Sequence, residues 1–134
     1  MPTLDAFIQA LHDRDPGALA AVLADDIQLH SPLLDDPIVG REQVVAVLDL
    51  LFEKLDTLEY GAELDGGEVR GVRLSASVNG VSMEGVELVH FDADGRVDEV
   101  RVQLRPLSGL IALQNVVAPA IGAPVLQLTP ISAT

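Results

Sequence analysis

The chain of 134 residues has no cysteine and no tryptophan, a single tyrosine, three histidines and only eight lysines and arginines. Without cysteine, disulfides, thiolate catalysis and cysteine-type structural zinc are excluded. The histidines, His12, His30 and His90, are too scattered to supply converging metal ligands, so no metal and no cofactor is expected. Eight basic residues stand against 21 acidic ones, a formal net charge of −13. That surface repels nucleic acid and anionic membranes, so neither is expected as a partner. No phosphate-binding loop, nucleophile elbow or catalytic-triad spacing is present. The segment Met1-Pro2-Thr3-Leu4-Asp5 lacks a basic region followed by an apolar run. No signal peptide is therefore read, and a cytoplasmic location is the default expectation.

What is there is a chain 49% hydrophobic, enough for a proper core in one domain spanning 1–134. It is organised around residues 69–104, which read as a meander of three long strands. The first, 69–78, ends at Asn79-Gly80, a two-residue hairpin signal. The second, 81–91, ends at Asp92-Ala93-Asp94-Gly95, and the third, 96–104, stops at Pro106. Side chains alternate faces along a strand. One face therefore gathers Val72, Leu74, Ala76 and Val78, then Val81, Met83, Gly85, Glu87, Val89 and Phe91, then Val100, Val102 and Leu104. Glu87 is the single carboxylate on that apolar face.

Before the meander, Thr3 is placed to cap a helix with Leu4, Phe7, Ile8 and Leu11 on one side. Asp15 and Pro16 start a second helix. A short strand is expected over 27–31, then a loop over 32–37 whose Leu33-Leu34 pair reads as a lid or a contact. Gly40 opens a third helix, 41–55, with Val44, Val45, Val47, Leu48, Leu51 and Phe52 on its apolar face, and 57–64 reads as a strand. A fourth helix is expected over 107–118, with Leu107, Leu110, Ile111 and Leu113 apolar. Residues 106–134 carry no charge. Gln114, Asn115, Pro119, Pro124 and Gln127 interrupt the segment, which argues against a membrane span. Its Val125, Leu126 and Leu128 are expected to close the wide end of the fold or to cross onto a second subunit. Helices segregated from strands indicate α+β: a cone-shaped curved antiparallel sheet packed on N-terminal helices, with a C-terminal helix and apolar tail.

Three segments in this order carry a family resemblance: Ala24-Asp25-Asp26 before a strand, Ile38-Val39-Gly40-Arg41-Glu42-Gln43-Val44, and Val86-Glu87-Leu88-Val89-His90-Phe91-Asp92 before an Asp-Gly turn. Over about 4–105 the chain resembles the nuclear transport factor 2-like superfamily, with its SnoaL-like polyketide cyclases, and most nearly the bacterial ketosteroid isomerases. Those isomerases use an aspartate base, with a tyrosine and a protonated aspartate donating to the developing oxyanion. The resemblance places the base at Ser31, the tyrosine at Phe7 and the protonated carboxyl at Glu87. Two of those three roles are absent, so steroid isomerisation by that mechanism is not expected. The superfamily's epoxide hydrolases, with an arginine and two aspartates inside the cone, are matched less well: Gly85 and Val102 stand at two of those places.

The expected site is an apolar pocket lined by Phe7, Ser31, Val72, Leu74, Met83, Gly85, Val89, Val100, Val102 and Leu104, with Glu87 as the catalytic candidate. The expected function is binding of an apolar small molecule, steroid- or polyketide-like. The alternative is an isomerase, dehydratase or cyclase using Glu87 as acid or base. A second polar group within hydrogen-bond reach of Glu87 separates the two. Tyr60 is a candidate if it points inward, although a half-buried strand residue is the plainer reading. His30 and His90 alternate away from the pocket, so a Glu87–His90 dyad requires a bulge. Asp35-Asp36 reads as a solvated turn. The outer sheet face mixes Arg73, Ser75, Ser77, Glu84, Val86, Leu88, His90, Arg101 and Gln103, which suits a homodimer.

Overall fold

The computed structural model describes residues 3–127 and Thr129. Helix α1 (Leu4–His12) begins at the expected cap, where Thr3 Oγ1 accepts the Ala6 N–H at 3.2 Å. In α2 (Pro16–Val22), Asp15 Oδ1 accepts the N–H groups of Gly17 and Ala18, and Pro16 sits where no donor is needed. Strand β1 (Leu23–His30) starts earlier than expected and takes in Asp25-Asp26 as an irregular stretch. A short β2 (Ile38–Val39) precedes α3 (Arg41–Lys54). Gly40 adopts φ +101 and donates its N–H to the Ile27 carbonyl at 2.9 Å. Arg41 donates to the Leu23 carbonyl and pairs with Asp25. The Gly40-Arg41 pair thus ties the start of α3 to β1.

The remaining strands are β3 (Thr57–Gly66), β4 (Val69–Val78), β5 (Val81–Phe91) and β6 (Val97–Arg105). Asn79 and Gly80 both have positive φ, as a tight hairpin turn requires. Asp92 Oδ1 accepts from Asp94 and Arg96 at the next turn, so β6 begins at Val97 rather than Arg96. The sheet order is β2-β1-β6-β5-β4-β3. Every pairing is antiparallel except β1 with β6, which is parallel. The helices pack on one face, giving the α+β layer arrangement expected.

Phe7, Leu11, Leu19, Leu23, Ile27 and Val44 are buried against Val89, Val97 and Val100 at one end of that face. Ala76, Val78, Met83 and Leu113 form a second cluster under helix α4 (Leu107–Ile121). The inward face of α4 is Gly109, Leu113 and Val117, at four-residue spacing. Of the expected face Leu107, Leu110, Ile111 and Leu113, only Leu113 turns fully inward: Leu107 is exposed and Leu110 and Ile111 are half-buried. The cause is close approach. A Cβ on residue 109 would lie 2.8 Å from the Met83 Cβ, so the helix seats on β5 through its glycine. The chain after α4 folds back along it, with Asn115 bonded to both backbone groups of Leu126 and Gln114 to the Pro124 carbonyl. Val125 and Leu126 are exposed on the single chain and do not line the cavity; Leu128 lies outside the described residues. Among the described residues, no helix is long and apolar enough to cross a membrane.

Candidate active site

Between the helices and the sheet lies a cavity with about 90 Å³ open to the centres of water-sized molecules. On α3, Val47, Leu48, Leu51 and Phe52 face it, joined by Leu50 and Leu55. Val47, Leu48 and Leu51 are only half-buried for that reason: the helical stripe borders a void, not solid core. The turn Ser31-Pro32-Leu33-Leu34 covers one side, so Leu33 and Leu34 act as a cover. It is held by Ser31 Oγ, which accepts the Leu33 N–H at 3.1 Å. Leu113, Val117 and Ile121 of α4 close the other side within the same chain. Leu11, Leu29 and Ile38 complete the wall near the core.

Of the ten residues expected to line a pocket, Ser31, Leu74, Met83, Val102 and Leu104 do so. Phe7, Val72, Val89 and Val100 do not reach it; they are packed in the interior with little or no exposure. The meander face is thus divided between core and cavity, a division that alternation alone does not reveal. Gly85 does not line it either. It marks a close approach of strands: a Cβ there would meet the Gln103 carbonyl oxygen at 1.8 Å.

Glu87 faces the cavity from the middle of β5, between Val72 on β4 and Val102 on β6. It is 7% exposed, the one buried charged residue among those described. Tyr60, on β3, points inward with Leu58 and donates its hydroxyl to Glu87 Oε1 at 3.3 Å. The signal for this lay in the alternation of Leu58 and Tyr60 with exposed Thr57 and Glu59. A bulge after Tyr60 then shifts the register of β3 against β4, and pairing resumes at Glu63. Glu87 Oε2 is buried and has no hydrogen-bond partner. Burial pushes the Glu87 carboxyl up to about 7, against the opposing pull of the Tyr60 bond. Burial, and then the adjacent Glu87, push the Tyr60 phenol well above its ordinary value.

The lining is otherwise apolar, with Ser31 its other polar side chain. Ser31 Oγ accepts from Leu33, which leaves its own hydrogen free to donate. His90 lies on the outer face, bonded to Asp98 Oδ1 at 2.5 Å, so no Glu87–His90 dyad forms. His30 lies 3.9 Å from Glu99 and also stays outside the cavity, as do Asp35 and Asp36. Among the described residues, no group of three or more potential ligands is placed to hold a metal ion. A buried carboxyl that changes charge near neutrality, with one oxygen anchored and one free, can both take and return a proton.

A steroid delta-isomerase from Pseudomonas aeruginosa is 26% identical, with a TM-score of 0.82 over 89% of this chain and 88% of that one. An uncharacterised bacterial protein with a cystatin-like fold from Silicibacter pomeroyi is 21% identical, with a TM-score of 0.85 over 90% and 86%. A SnoaL-like protein of unknown function from Burkholderia thailandensis is 22% identical, with a TM-score of 0.64 over 76% and 91%. The last two likenesses are of fold alone. No curated protein matches the chain. The family model described as a SnoaL-like domain matches residues 4–100, from α1 into β6. The chain belongs to the SnoaL-like domain family.

Proposed function

We propose that this protein binds a compact apolar carbonyl compound in the cavity and moves a proton on it through Glu87. One observation carries the reading: on a carboxyl that lines the cavity, Tyr60 anchors one oxygen while the other is buried and unpartnered. Leaving a buried acceptor unpaired costs about 1–3 kcal/mol, and an apolar ketone brings no donor to it, so the oxygen stays available as a base. In the ionised state, Oε2 takes a hydrogen from the carbon beside the carbonyl. The C–H electron pair moves into the enolate, and Glu87 returns the proton to the same carbon or to a conjugated one. No oxidant or leaving group is needed, and the Ser31 hydroxyl is a further donor in the lining. The identity to a steroid delta-isomerase supports proton transfer as the reaction class. Pockets for drug-sized ligands measure roughly 300–1,000 Å³. A steroid- or polyketide-like ligand therefore requires the cavity to widen, whereas a two-ring ketone makes a smaller demand.

The test is deuterium exchange. With 2-tetralone in deuterated buffer, mass spectrometry should show protein-dependent deuterium at the α carbon, increasing with pH through about 7 as Glu87 ionises. Glu87→Gln should lower the rate by about 100-fold or more, the usual weight of a general base. Exchange at the buffer rate, or unchanged in the variant, would leave a binding protein without chemistry, for which the otherwise apolar lining also speaks.

We also propose a homodimer through the outer sheet face. Val86 and Leu88 are half-buried there, beside Glu84, which pairs with Arg73 and Arg105. Sedimentation velocity at micromolar concentration should give twice the 14.2 kDa chain mass; a single species at the chain mass would refute the dimer.

A further inference from the structure

The charges around the cavity point to a ligand class that proton transfer does not require. The residues lining it come from α1, α3, α4 and all six strands, together with the 31–34 turn. They include no lysine, arginine or histidine, and their titratable side chains are Glu87 and Tyr60 alone. An anionic ligand would therefore be buried beside Glu87 without compensation. A cation would meet the opposite situation. Glu87 Oε2 is buried and unpartnered, and Tyr60 spends its hydrogen on Oε1, so its oxygen is free to accept. The chain's net charge of −13 also raises the local concentration of cations.

We infer that the cavity is a receptor site for a compact apolar ammonium ion, with its nitrogen against Glu87 Oε2 and Tyr60 Oη and its hydrocarbon against the leucine walls. Ionised Glu87 offsets the desolvation of the ammonium, and the ammonium satisfies the orphan oxygen, so each buried charge supplies the partner that the other lacks. The inference shares the Glu87 geometry with the proposed function but needs no reaction.

Three probes of similar size separate the alternatives by isothermal titration calorimetry: 2-phenylethylamine, the neutral 2-phenylethanol and the anionic 3-phenylpropanoate. At pH 8 the amine should bind at least tenfold more tightly than the alcohol, and the anion not measurably. Lowering the pH to 6 should weaken the amine by about tenfold, because its binding must then expel the Glu87 proton. Buffers of different ionisation heat should show nearly one proton released per amine at pH 6. Glu87→Gln, shown by circular dichroism to be folded, should lose the preference for the amine. Equal affinity for amine and alcohol, no amine binding, no proton release in the wild type, or an unchanged preference in the folded variant would each overturn the inference. Amine binding without exchange of 2-tetralone would uphold it while removing the proton-transfer reading.

Discussion

At pH 8 the Glu87→Gln protein is expected to be more stable than the wild type, by up to about 3 kcal/mol. The wild-type carboxyl titrates at about 7 in the folded chain against an ordinary value of 4.5. Each pH unit of that difference corresponds to about 1.4 kcal/mol. Because the folded-state value is raised, the folded protein holds the proton more tightly. The stabilising contribution is present in full below about 4.5 and is lost as pH rises to about 7. Above that, the ionised carboxylate is a standing cost. Glutamine has nearly the same shape and can keep the Tyr60 bond, and it carries no charge to desolvate. Its amide hydrogens meet the same partnerless surroundings as Oε2, which reduces the gain without changing its sign. Urea denaturation at pH 5 and pH 8 checks this. The two proteins should be close at pH 5 and diverge at pH 8. The His90–Asp98 pair on the outer face contributes equally to both and cancels in the difference. Parallel pH–stability curves would show that Glu87 is not desolvated.

Gly85→Ala should have the largest effect of opposite sign, a loss of about 3 kcal/mol. The new methyl group would lie 1.8 Å from the Gln103 carbonyl oxygen and 2.8 Å from its carbon. Both are backbone atoms, so no rotamer change relieves the clash, and β5 must move off β6. Overpacking of this kind costs about 1–3 kcal/mol, more where the backbone itself moves. Gly85 pairs with Leu74 and Leu104, which line the cavity, and Glu87 follows on the same face of the strand. The substitution should therefore disturb the site as well as the fold. Gly61→Ala is the control: its Cβ would come no nearer than 3.9 Å to another atom, so a change within about 1 kcal/mol is expected. Thermal or urea denaturation of the two variants decides; equal stability would mean that the strand approach at Gly85 is not tight.

The strands and caps were legible because their signals are local. Thr3, Asp15 and Asn79-Gly80 act through their own backbone neighbours, and the alternation of the meander survives any packing. What was not legible depends on partners far along the chain. The parallel pairing of β1 with β6 joins segments with no shared turn. The face that α4 presents includes the expected Leu113 but is turned away from the other bulky residues, because contact with Met83 is made through the hydrogen of Gly109. Glu87 stood out as one carboxylate on an apolar face, yet the same alternation wrongly extended the pocket to Val72, Val89 and Val100. Those valines differ from Val102 and Leu104 only in what sits above them, helices in one case and a void in the other. Tyr60 carried a usable pattern, but only the pairing of β3 with β4 and β4 with β5 brings its hydroxyl to Glu87. The apolar stripe of α3 is in part a cavity wall, which its half-burial expresses and its sequence does not.

The central claim is that Glu87 is a desolvated carboxyl facing an apolar cavity. Carbon-13 NMR titration of its side-chain carboxyl measures this directly. A midpoint near 7 is expected, about two and a half pH units above the ordinary value. A midpoint at or below 4.5 would mean a solvated or ion-paired carboxylate, and would contradict the cavity, the proton transfer and the ammonium site together.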